Sequence, residues 1–155
     1  MENEEKKTTV IKKSKDFVST VGRRRSAVAR IRIYSKVADG LKFGELPVKK
    51  GDIVVNGKNI SEYFSGSVSK AIYEKPLKLA NVINKNTITA IVKGGGLRSQ
   101  LDAWVLGVSR ALSIMDEEAK KILRKNGLLT RDARVRERRK GGMGGKARRK
   151  RQSPK

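Results

Sequence analysis

The 155-residue chain contains neither cysteine nor histidine. Without cysteine there is no disulfide framework, no thiol nucleophile and no zinc site of the cysteine-rich kinds. Without histidine, the commonest general base and the commonest metal ligand are also missing. An enzyme built from this chain would have to rely on carboxylates, Lys, Ser or Tyr. The basic features described below then favour a non-enzymatic protein without a metal or other cofactor.

Acidic residues and long apolar runs are scarce as well. Asp and Glu number 15 against 38 Lys and Arg, so the formal net charge is +23. A surplus of this size indicates a nucleic-acid partner first and an anionic membrane surface second. No run approaches the roughly 20 apolar residues that span a bilayer, and the N-terminus lacks an apolar signal core. Residues 1–19 also lack arginine, unlike a transit peptide, so we expect a cytoplasmic location.

The strongest concentration of charge is at the C-terminus. Residues 131–155 contain 12 Lys or Arg against two acids, with almost nothing to bury. Burial cannot offset the entropy lost on ordering such a segment, so it should stay extended until a partner holds it. Each phosphate that it neutralises would release counterions, which favours a nucleic acid as that partner. We therefore predict an extended basic tail over residues 131–155.

A second basic feature lies in the stretch Arg23–Tyr34. Its apolar residues share one parity, namely Ala27, Ala29, Ile31 and Ile33. Its basic and polar residues share the other, namely Arg24, Ser26, Arg30 and Arg32. Period two predicts one half-buried strand with an arginine ridge on its outer face, next to Arg23 and Arg25. The ridge repels itself without a counter-charge, so we favour phosphate contact over a merely solvated face.

The sequence of residues 36–61 predicts turns and short strands. Residues 36–50 predict a long connection, residues 52–55 a second strand, and residues 58–60 its return arm. Asn56-Gly57 between the two arms predicts a tight hairpin, because both central residues of the favoured turn need positive φ. Ser61 is the expected cap of the helical turn that follows.

Further along, Pro76 is expected in the first turn of a short helix, within residues 68–84 that are otherwise ambiguous. The aromatic residues Tyr63, Phe64 and Tyr73 cluster with apolar neighbours. We therefore expect them in the core and not as platforms for stacked bases.

The strongest periodicity follows a strand-like segment, residues 86–93. Apolar residues then recur at spacings of three and four from Leu97 to Met115, which predicts a helix with a buried face. A second helix is predicted over residues 116–125, with acids at its start and bases at its end, as the helix dipole favours. Ala119, Ile122 and Leu123 are expected to face inward, and Asn126-Gly127 is a plausible stop.

Three glycines, Gly94, Gly95 and Gly96, join the predicted strand to the first of these helices. The free N–H groups of a helix start, with Arg98 beside them, can hold a phosphate of a large RNA. A tight turn that requires positive φ and close packing explains the glycines equally well. The sequence GGGLRSQ matches neither standard nucleotide-binding spacing, so a free nucleotide is not indicated.

Together these motifs closely resemble the bacterial-type small-subunit ribosomal protein nine family. The matching segments run in family order from about residue 20 to the C-terminus: VGRRRSAVAR (21–30), VVNG (54–57), EYF (62–64), PL (76–77), GGG (94–96) with Gln100, SRAL (109–112), GLLTRDAR (127–134), ERRK (137–140) and KARR (146–149).

The resemblance implies an α+β fold with one compact domain, residues 20–130. Residues 1–19 have few large apolar residues and no sustained period, so their composition predicts a flexible extension, with a short edge strand from Val10, Ile11, Phe17 and Val18 as the alternative. The domain would hold a mixed sheet with helices packed on one face, like the second domain of ribosomal protein five, with a left-handed βαβ crossover. The implied role is structural: the chain would bind the large RNA of the subunit head and extend residues 131–155 towards the tRNA in the peptidyl site. Neighbouring head proteins would be further partners, with no membrane and no small-molecule substrate.

Ridge, glycine turn and resemblance together give a candidate set of ribosomal RNA contacts: Arg23, Arg24, Arg25, Arg30, Arg32, Arg98, Arg131, Arg134, Arg136, Arg138, Arg139, Lys140, Lys146, Arg148, Arg149 and Lys150. Arg151 and Lys155 are the implied tRNA-proximal residues. The family usually ends in Gln, an aromatic residue, Ser, Lys and Arg, whereas here Ser153-Pro154-Lys155 follow Gln152. Lys offers a phosphate a point charge but not the two-pronged contact of Arg, so the tRNA contact is expected to differ.

Other classes of function are weaker fits to the sequence. The tail alone would also suit a DNA-compacting protein, which should prefer duplex DNA over structured RNA. A phosphate-handling enzyme would have to use the glycine turn and Asp102, without a recognised phosphate motif or a cluster of acids for a metal. A membrane-surface role lacks the apolar helix face that it requires.

Overall fold

A mixed five-stranded sheet organises the fold, in a computed structural model that describes residues 17–35, 42–43 and 46–136. The strands are β1 (Phe17–Arg24), β2 (Ala27–Tyr34), β3 (Lys42–Phe43), β4 (Leu46–Pro47), β5 (Ile53–Val55), β6 (Lys58–Asn59) and β7 (Thr87–Lys93). The helices are α1 (Ile60–Tyr63), α2 (Ser67–Leu79), α3 (Leu97–Met115) and α4 (Glu117–Lys125). The sheet order is β1-β2-β7-β5-β6, with β3 and β4 forming a separate pair. Only the β5–β7 pairing is parallel within the described ladders.

The core lies between this sheet and α3. Alternate residues of β2 are fully buried on one face, and Trp104 of α3 is buried among them. Helix α3 packs against β1 and β2, while α2 and α4 pack against α3. The chain is therefore a single α+β domain, as the sequence predicted, and its sheet has an inner face on the helices and an outer face away from them.

The predicted single strand over Arg23–Tyr34 is wrong. A two-residue turn at Arg25 and Ser26 divides it, so that β1 and β2 form an antiparallel hairpin with Arg24 paired to Ala27. Arg25 adopts a φ of 52°, a conformation that usually signals glycine or asparagine, and no such residue marks this turn in the sequence. The alternation of the apolar residues of β2 nevertheless indicated its buried face correctly.

Strand β1 begins at Phe17, before the predicted domain start at residue 20. Phe17 pairs with Tyr34 across the hairpin, and their rings contact each other with centroids 5.4 Å apart. This aromatic contact extends the ladder to the very start of β1, because cross-strand aromatic pairs stabilise a sheet. The described domain therefore includes residues that the sequence assigned to the extension.

The Asn56-Gly57 hairpin is confirmed, with φ values of 49° and 78°. The helical turn after it begins at Ile60, and its cap is Asn59, whose side chain accepts a hydrogen bond from the Ser61 N–H. The prediction that Ser61 caps the turn is therefore wrong by two residues. Asn and Ser are both good caps, and the short β6 arm decides between them by ending at Asn59.

The helix predicted to start at Pro76 is also wrong, because α2 starts at Ser67 and holds Pro76 in its interior. A proline there removes one backbone hydrogen bond and crowds the preceding turn. Pro76 nevertheless lies on the buried face of α2 with Tyr73 and Leu77. We infer that burial of this face outweighs the local cost.

The two C-terminal helices match their predicted positions. Asp116 caps α4 by accepting from the Glu118 N–H, and Asn126 followed by Gly127 ends the helix. Two details differ from the predicted buried faces: Leu97 is 64% exposed and Ile122 is 43% exposed. Leu97 is the first residue of α3, and the buried face of α4 is formed by Ala119 and Leu123 without Ile122. Phe64 and Tyr73 are core residues as expected, and Tyr63 is half-buried.

Candidate nucleic-acid interface

The outer face of the sheet carries three exposed arginines. Arg23 on β1 and Arg30 and Arg32 on β2 all point away from the helices. No ion pair within the described residues involves any of them. Together they form the outer ridge, a name used below for Arg23, Arg30 and Arg32. A ridge of unneutralised guanidinium groups is suited to phosphate oxygens.

Arg24 does not belong to this ridge, contrary to the sequence interpretation. The hairpin pairs even-numbered residues of β1 with odd-numbered residues of β2. The inner face therefore carries the even-numbered residues of β1 and the odd-numbered residues of β2. Arg24 therefore lies on the inner face, where its side chain is only 15% exposed. Its guanidinium lies 3.0 Å from the Asp132 carboxylate and 3.9 Å from that of Asp102. Arg24 is thus neutralised within the protein itself.

Arg24 also holds the start of the predicted tail. Its Nη1 donates to the backbone carbonyl of Arg134 at 2.8 Å, across 110 residues of sequence. Asp132 in turn accepts from the side chain of Arg134 at 2.8 Å and from its backbone N–H at 2.9 Å. We call Arg24, Asp132 and Arg134 the clasp. It fixes residues 132–134 against the end of the β1–β2 hairpin.

The clasp changes the acidity of its carboxylate. Hydrogen bonds from the side chain and backbone of Arg134 hold the pKa of Asp132 well below its ordinary value of 3.8, and the charge of Arg24 acts in the same direction. The same contact raises the pKa of Arg134. Asp132 is therefore ionised at any physiological pH and remains a constant counter-charge for Arg24.

The glycine turn packs against the same end of the sheet. Gly94 and Gly95 have φ values of 75° and 66°, and a side chain at Gly94 would collide with the backbone oxygen of Ser26. This geometry supports the tight-turn interpretation, whereas the phosphate contact stays a prediction. Arg98, the second residue of α3, lies 3.7 Å from Asp102, so part of its charge is already balanced.

The structure thus gathers several predicted contacts at one end of the domain. Arg25 is exposed at the hairpin tip, and Arg131, Arg134 and Arg136 are exposed where the chain leaves α4. The remaining candidates lie outside the described residues: Arg138, Arg139, Lys140, Lys146, Arg148, Arg149, Lys150, Arg151 and Lys155.

Sequence reasoning missed the acidic partners of this region. The spacing of Arg98 and Asp102 by four residues was a readable signal, because residues four apart meet on a helix surface. The pairing of Arg24 with Asp132 carried no local signal, since the two are far apart in sequence.

In the part of the chain that the structure describes, no helix is long and apolar enough to cross a membrane. The same residues contain no group of three or more potential metal ligands.

Comparison with known proteins identifies the class of protein that combines this fold with these basic surfaces. Residues 22–155 match the model of a family described as ribosomal protein S9/S16. The small ribosomal subunit protein uS9 of Maridesulfovibrio salexigens is 42% identical over 132 residues, which cover 85% of this chain and 92% of that protein. The corresponding protein of Cytophaga hutchinsonii is 38% identical over 127 residues, covering 82% and 89%.

The class is therefore that of the ribosomal proteins, which are structural and not enzymatic. Within it, this chain belongs to the ribosomal protein S9/S16 family. Its role is that of a structural constituent of the small ribosomal subunit, in translation.

Proposed function

We propose that the chain binds the RNA of the small-subunit head and directs its basic C-terminal segment towards the tRNA in the peptidyl site. The main support for this proposal is that neighbouring arginines of the hairpin differ in whether an acidic residue contacts them. Arg24 is neutralised by acids, whereas the outer ridge has no acidic partner among the described residues. Exposed arginines without an acidic partner favour binding of an external polyanion, and family membership makes ribosomal RNA the natural one.

The proposed contacts divide by position. The outer ridge and Arg25 would bind backbone phosphates, which fix the position of a protein on RNA without reading its sequence. Arg131 and Arg136 would continue these contacts beyond the clasp. Arg24 would act within the protein, and not on RNA as its place in the candidate set implied.

The remaining parts of the proposal rest on the family resemblance. Residues 137–155 would lie along RNA, with Arg151 and Lys155 nearest the tRNA. Neighbouring head proteins of a cytoplasmic ribosome would be additional partners. The crossover from β5 to β7 would be left-handed, and, by their composition, the residues before β1 would form a flexible extension.

The test is the salt dependence of RNA affinity, measured with the full chain and a fragment of small-subunit RNA. The logarithm of the binding constant falls with the logarithm of salt concentration, with a slope of roughly 0.7 to 0.9 per phosphate neutralised. Ending the chain before Arg131 should flatten this slope strongly. Replacing Arg30 and Arg32 by Gln should reduce it by about one to two units.

The matched control replaces Lys70 and Lys78 by Gln. These two cations already contact Glu74 at 3.9 and 2.9 Å, so their loss should change the slope less. A slope unaffected by both the truncation and the ridge variant would contradict the proposal. So would preferential binding of duplex DNA at equal salt, which would indicate the DNA-compacting alternative.

A further inference from the structure

The outer face of the sheet contains a groove of about 260 Å³ between its strands and Phe43 of β3. Two cross-strand rows form its floor, one running Val21–Arg30–Ile91 and the next Ser19–Arg32–Thr89. The Phe43 side chain of β3 also lines the groove. Among the residues that the structure describes, no acidic side chain lines it.

The apolar part of the groove is left open to water by the described residues. Val21 and Ile91 are each 39% exposed, although they are large and apolar, and Arg30 lies between them in the ladder. Phe43 is half-buried against the same groove. Together these three side chains offer a flat apolar ligand a place to bind.

The cationic part of the groove is arranged along one strand. Arg30 and Arg32 are two residues apart on β2, which separates them by about 7 Å on the same face. This is close to the spacing of successive phosphates on one nucleic-acid strand. The guanidinium of Arg32 lies 5.0 Å from the centroid of the Phe17 ring, so a cation–π contact holds it in place.

A buried hydroxyl in the groove lacks a partner. Thr89 is 2% exposed, and its Oγ1 makes no hydrogen bond with any described residue. Thr87, two residues earlier on the same face, is fully satisfied: it donates to the Lys49 carbonyl at 3.1 Å and accepts from the Gly51 N–H at 3.0 Å. Buried hydroxyls are normally paired, so the free group of Thr89 points to a ligand that supplies the missing hydrogen bond.

We propose that this groove binds one unpaired nucleotide of RNA. The base would lie against Phe43, Val21 and Ile91, an edge of the base would pair with Thr89, and the adjoining phosphates would contact Arg30 and Arg32. This inference rests on the proposed RNA binding and adds to it a subsite for a base. Unpaired bases are the usual targets of protein recognition in RNA, and flat side chains stack on them.

Competing occupants fit the groove less well. A regular RNA duplex presents phosphates but keeps its bases stacked inside, so it would leave Val21 and Ile91 exposed and the Thr89 hydroxyl without a partner. An acidic peptide would satisfy the arginines, but it does not combine a flat apolar face with hydrogen-bonding edges. The unpaired nucleotide is the occupant that uses every feature of the groove.

The experiment uses the full chain and a short single-stranded RNA that contains 2-aminopurine, whose fluorescence is quenched when it stacks. The C-terminal segment contains no aromatic residue, so ring stacking on the protein must come from the domain. Binding should quench the probe, and Phe43→Ala should remove most of the quenching. It should also weaken binding of the single strand about fivefold or more, the range for loss of one stacked base.

Two further variants separate the contacts. Thr89→Val keeps the shape and strand preference of the side chain but removes the hydroxyl, and should reduce affinity for the single strand several-fold. Phe43→Leu keeps apolar volume without a flat ring and should lose quenching while retaining part of the affinity. Val68→Ala, at an exposed apolar position outside the groove, should change neither quantity. Emission of Trp104, the one tryptophan and fully buried, reports whether each variant is folded.

The outcomes distinguish this inference from the proposed function. Binding that is salt-dependent but equally strong in Phe43→Ala, Thr89→Val and the parent chain would overturn the nucleotide subsite while leaving RNA binding intact. Failure to bind any RNA would remove the proposed function itself. Loss of affinity for a polyglutamate peptide in the groove variants, without loss of RNA affinity, would also overturn the subsite.

Discussion

Identical side chains take different roles in this protein according to the strand face on which they lie. Arg24 and Arg30 are both on the β1–β2 hairpin, yet Arg24 contacts two carboxylates and Arg30 contacts none among the described residues. The antiparallel pairing decides this, because it reverses the parity of the inward-facing residues between β1 and β2. The arginines of a run in the sequence can therefore be assigned to a face of the sheet only after the position of the turn is known.

Glycine at position 22 is required by the close approach of α3 to β1. A Cβ atom there would collide with the backbone oxygen of Ala103 and lie 2.5 Å from the Gly107 nitrogen. Backbone atoms of a packed helix cannot move aside, so we expect Gly22→Ala to lower the free energy of unfolding by about 3 kcal/mol. Urea unfolding followed by Trp104 emission measures this change.

The matched control for that prediction is Gly96→Ala. A Cβ atom at Gly96 would meet nothing within 4 Å, and its φ of −107° suits any residue. Gly96 is the N-cap of α3, where Ala is a poorer cap than Gly, so we expect a loss of about 1 kcal/mol, well below the loss at position 22. Equal effects of the two substitutions would show that close packing is not the reason for the glycine at position 22.

The Asp132 carboxylate should resist protonation in the folded chain. Its pKa is lowered by Arg134, so its contribution to stability is complete above the unfolded-state pKa and is lost only as the pH falls through the depressed folded value. A carbon-13 NMR titration should show no protonation of Asp132 between about pH 5 and pH 3. Arg134→Gln should return the pKa towards 3.8, while Arg136→Gln should leave it low. A midpoint near 3.8 in the parent chain would contradict the clasp.

At the scale of elements, Asn56 does more than form the predicted turn. Its side chain accepts from the Val92 N–H at 2.8 Å and donates to the Val92 carbonyl at 2.9 Å. The Asn56 backbone N–H also donates to Ala90 at 2.9 Å. The amide therefore continues the parallel β5–β7 ladder beyond the end of β5.

Asn56→Asp should weaken this extended ladder. A carboxylate cannot donate to the Val92 carbonyl and would repel it, so we expect a loss of about 1–3 kcal/mol in unfolding free energy at neutral pH. Asn81→Asp is the control, since Asn81 also has positive φ and is exposed, with no side-chain hydrogen bond among the described residues. Urea unfolding that shows equal losses for both variants would mean that the amide contacts contribute nothing.

Some helices and turns of this protein could be predicted from the sequence, and others could not. Helix α3 and the Asn56-Gly57 hairpin were predictable because periodicity and positive φ are local signals. The β1–β2 turn was not, because its positive-φ residue is Arg25, and neither was α2, because burial of Tyr73 and Leu77 overrides the proline signal. The ridge arginines were proposed from local pattern and those of residues 131–155 from the family resemblance, and their RNA contacts stay predictions. The pairing of Arg24 with Asp132 depends on contacts between distant segments.

For the whole molecule, the clasp joins the folded domain to the basic segment that leaves it. The acids near the hairpin end, Asp102 and Asp132, contact Arg24, Arg98 and Arg134, while the outer ridge remains without such partners. The total charge of +23 therefore does not show that some arginines are paired with acids and others are not. Asp102 and Asp132 hold the start of the C-terminal segment, whereas the outer ridge has no acidic partner among the described residues and is the part that we propose for RNA contact.

Arg24→Lys tests whether geometry or charge is what the clasp provides. The guanidinium contacts Asp102, Asp132 and the Arg134 carbonyl together, and one ammonium group cannot span all three. We expect faster hydrogen exchange at the Arg134 amide, which donates to Asp132 at 2.9 Å, with little change in the salt slope of RNA binding because the net charge is unchanged. Arg98→Lys, which alters a single looser contact of 3.7 Å, should leave that exchange rate as it is. If Arg24→Lys also left the exchange rate unchanged, charge alone would account for the attachment of residues 132–134. The geometry of the three guanidinium contacts would then contribute nothing further.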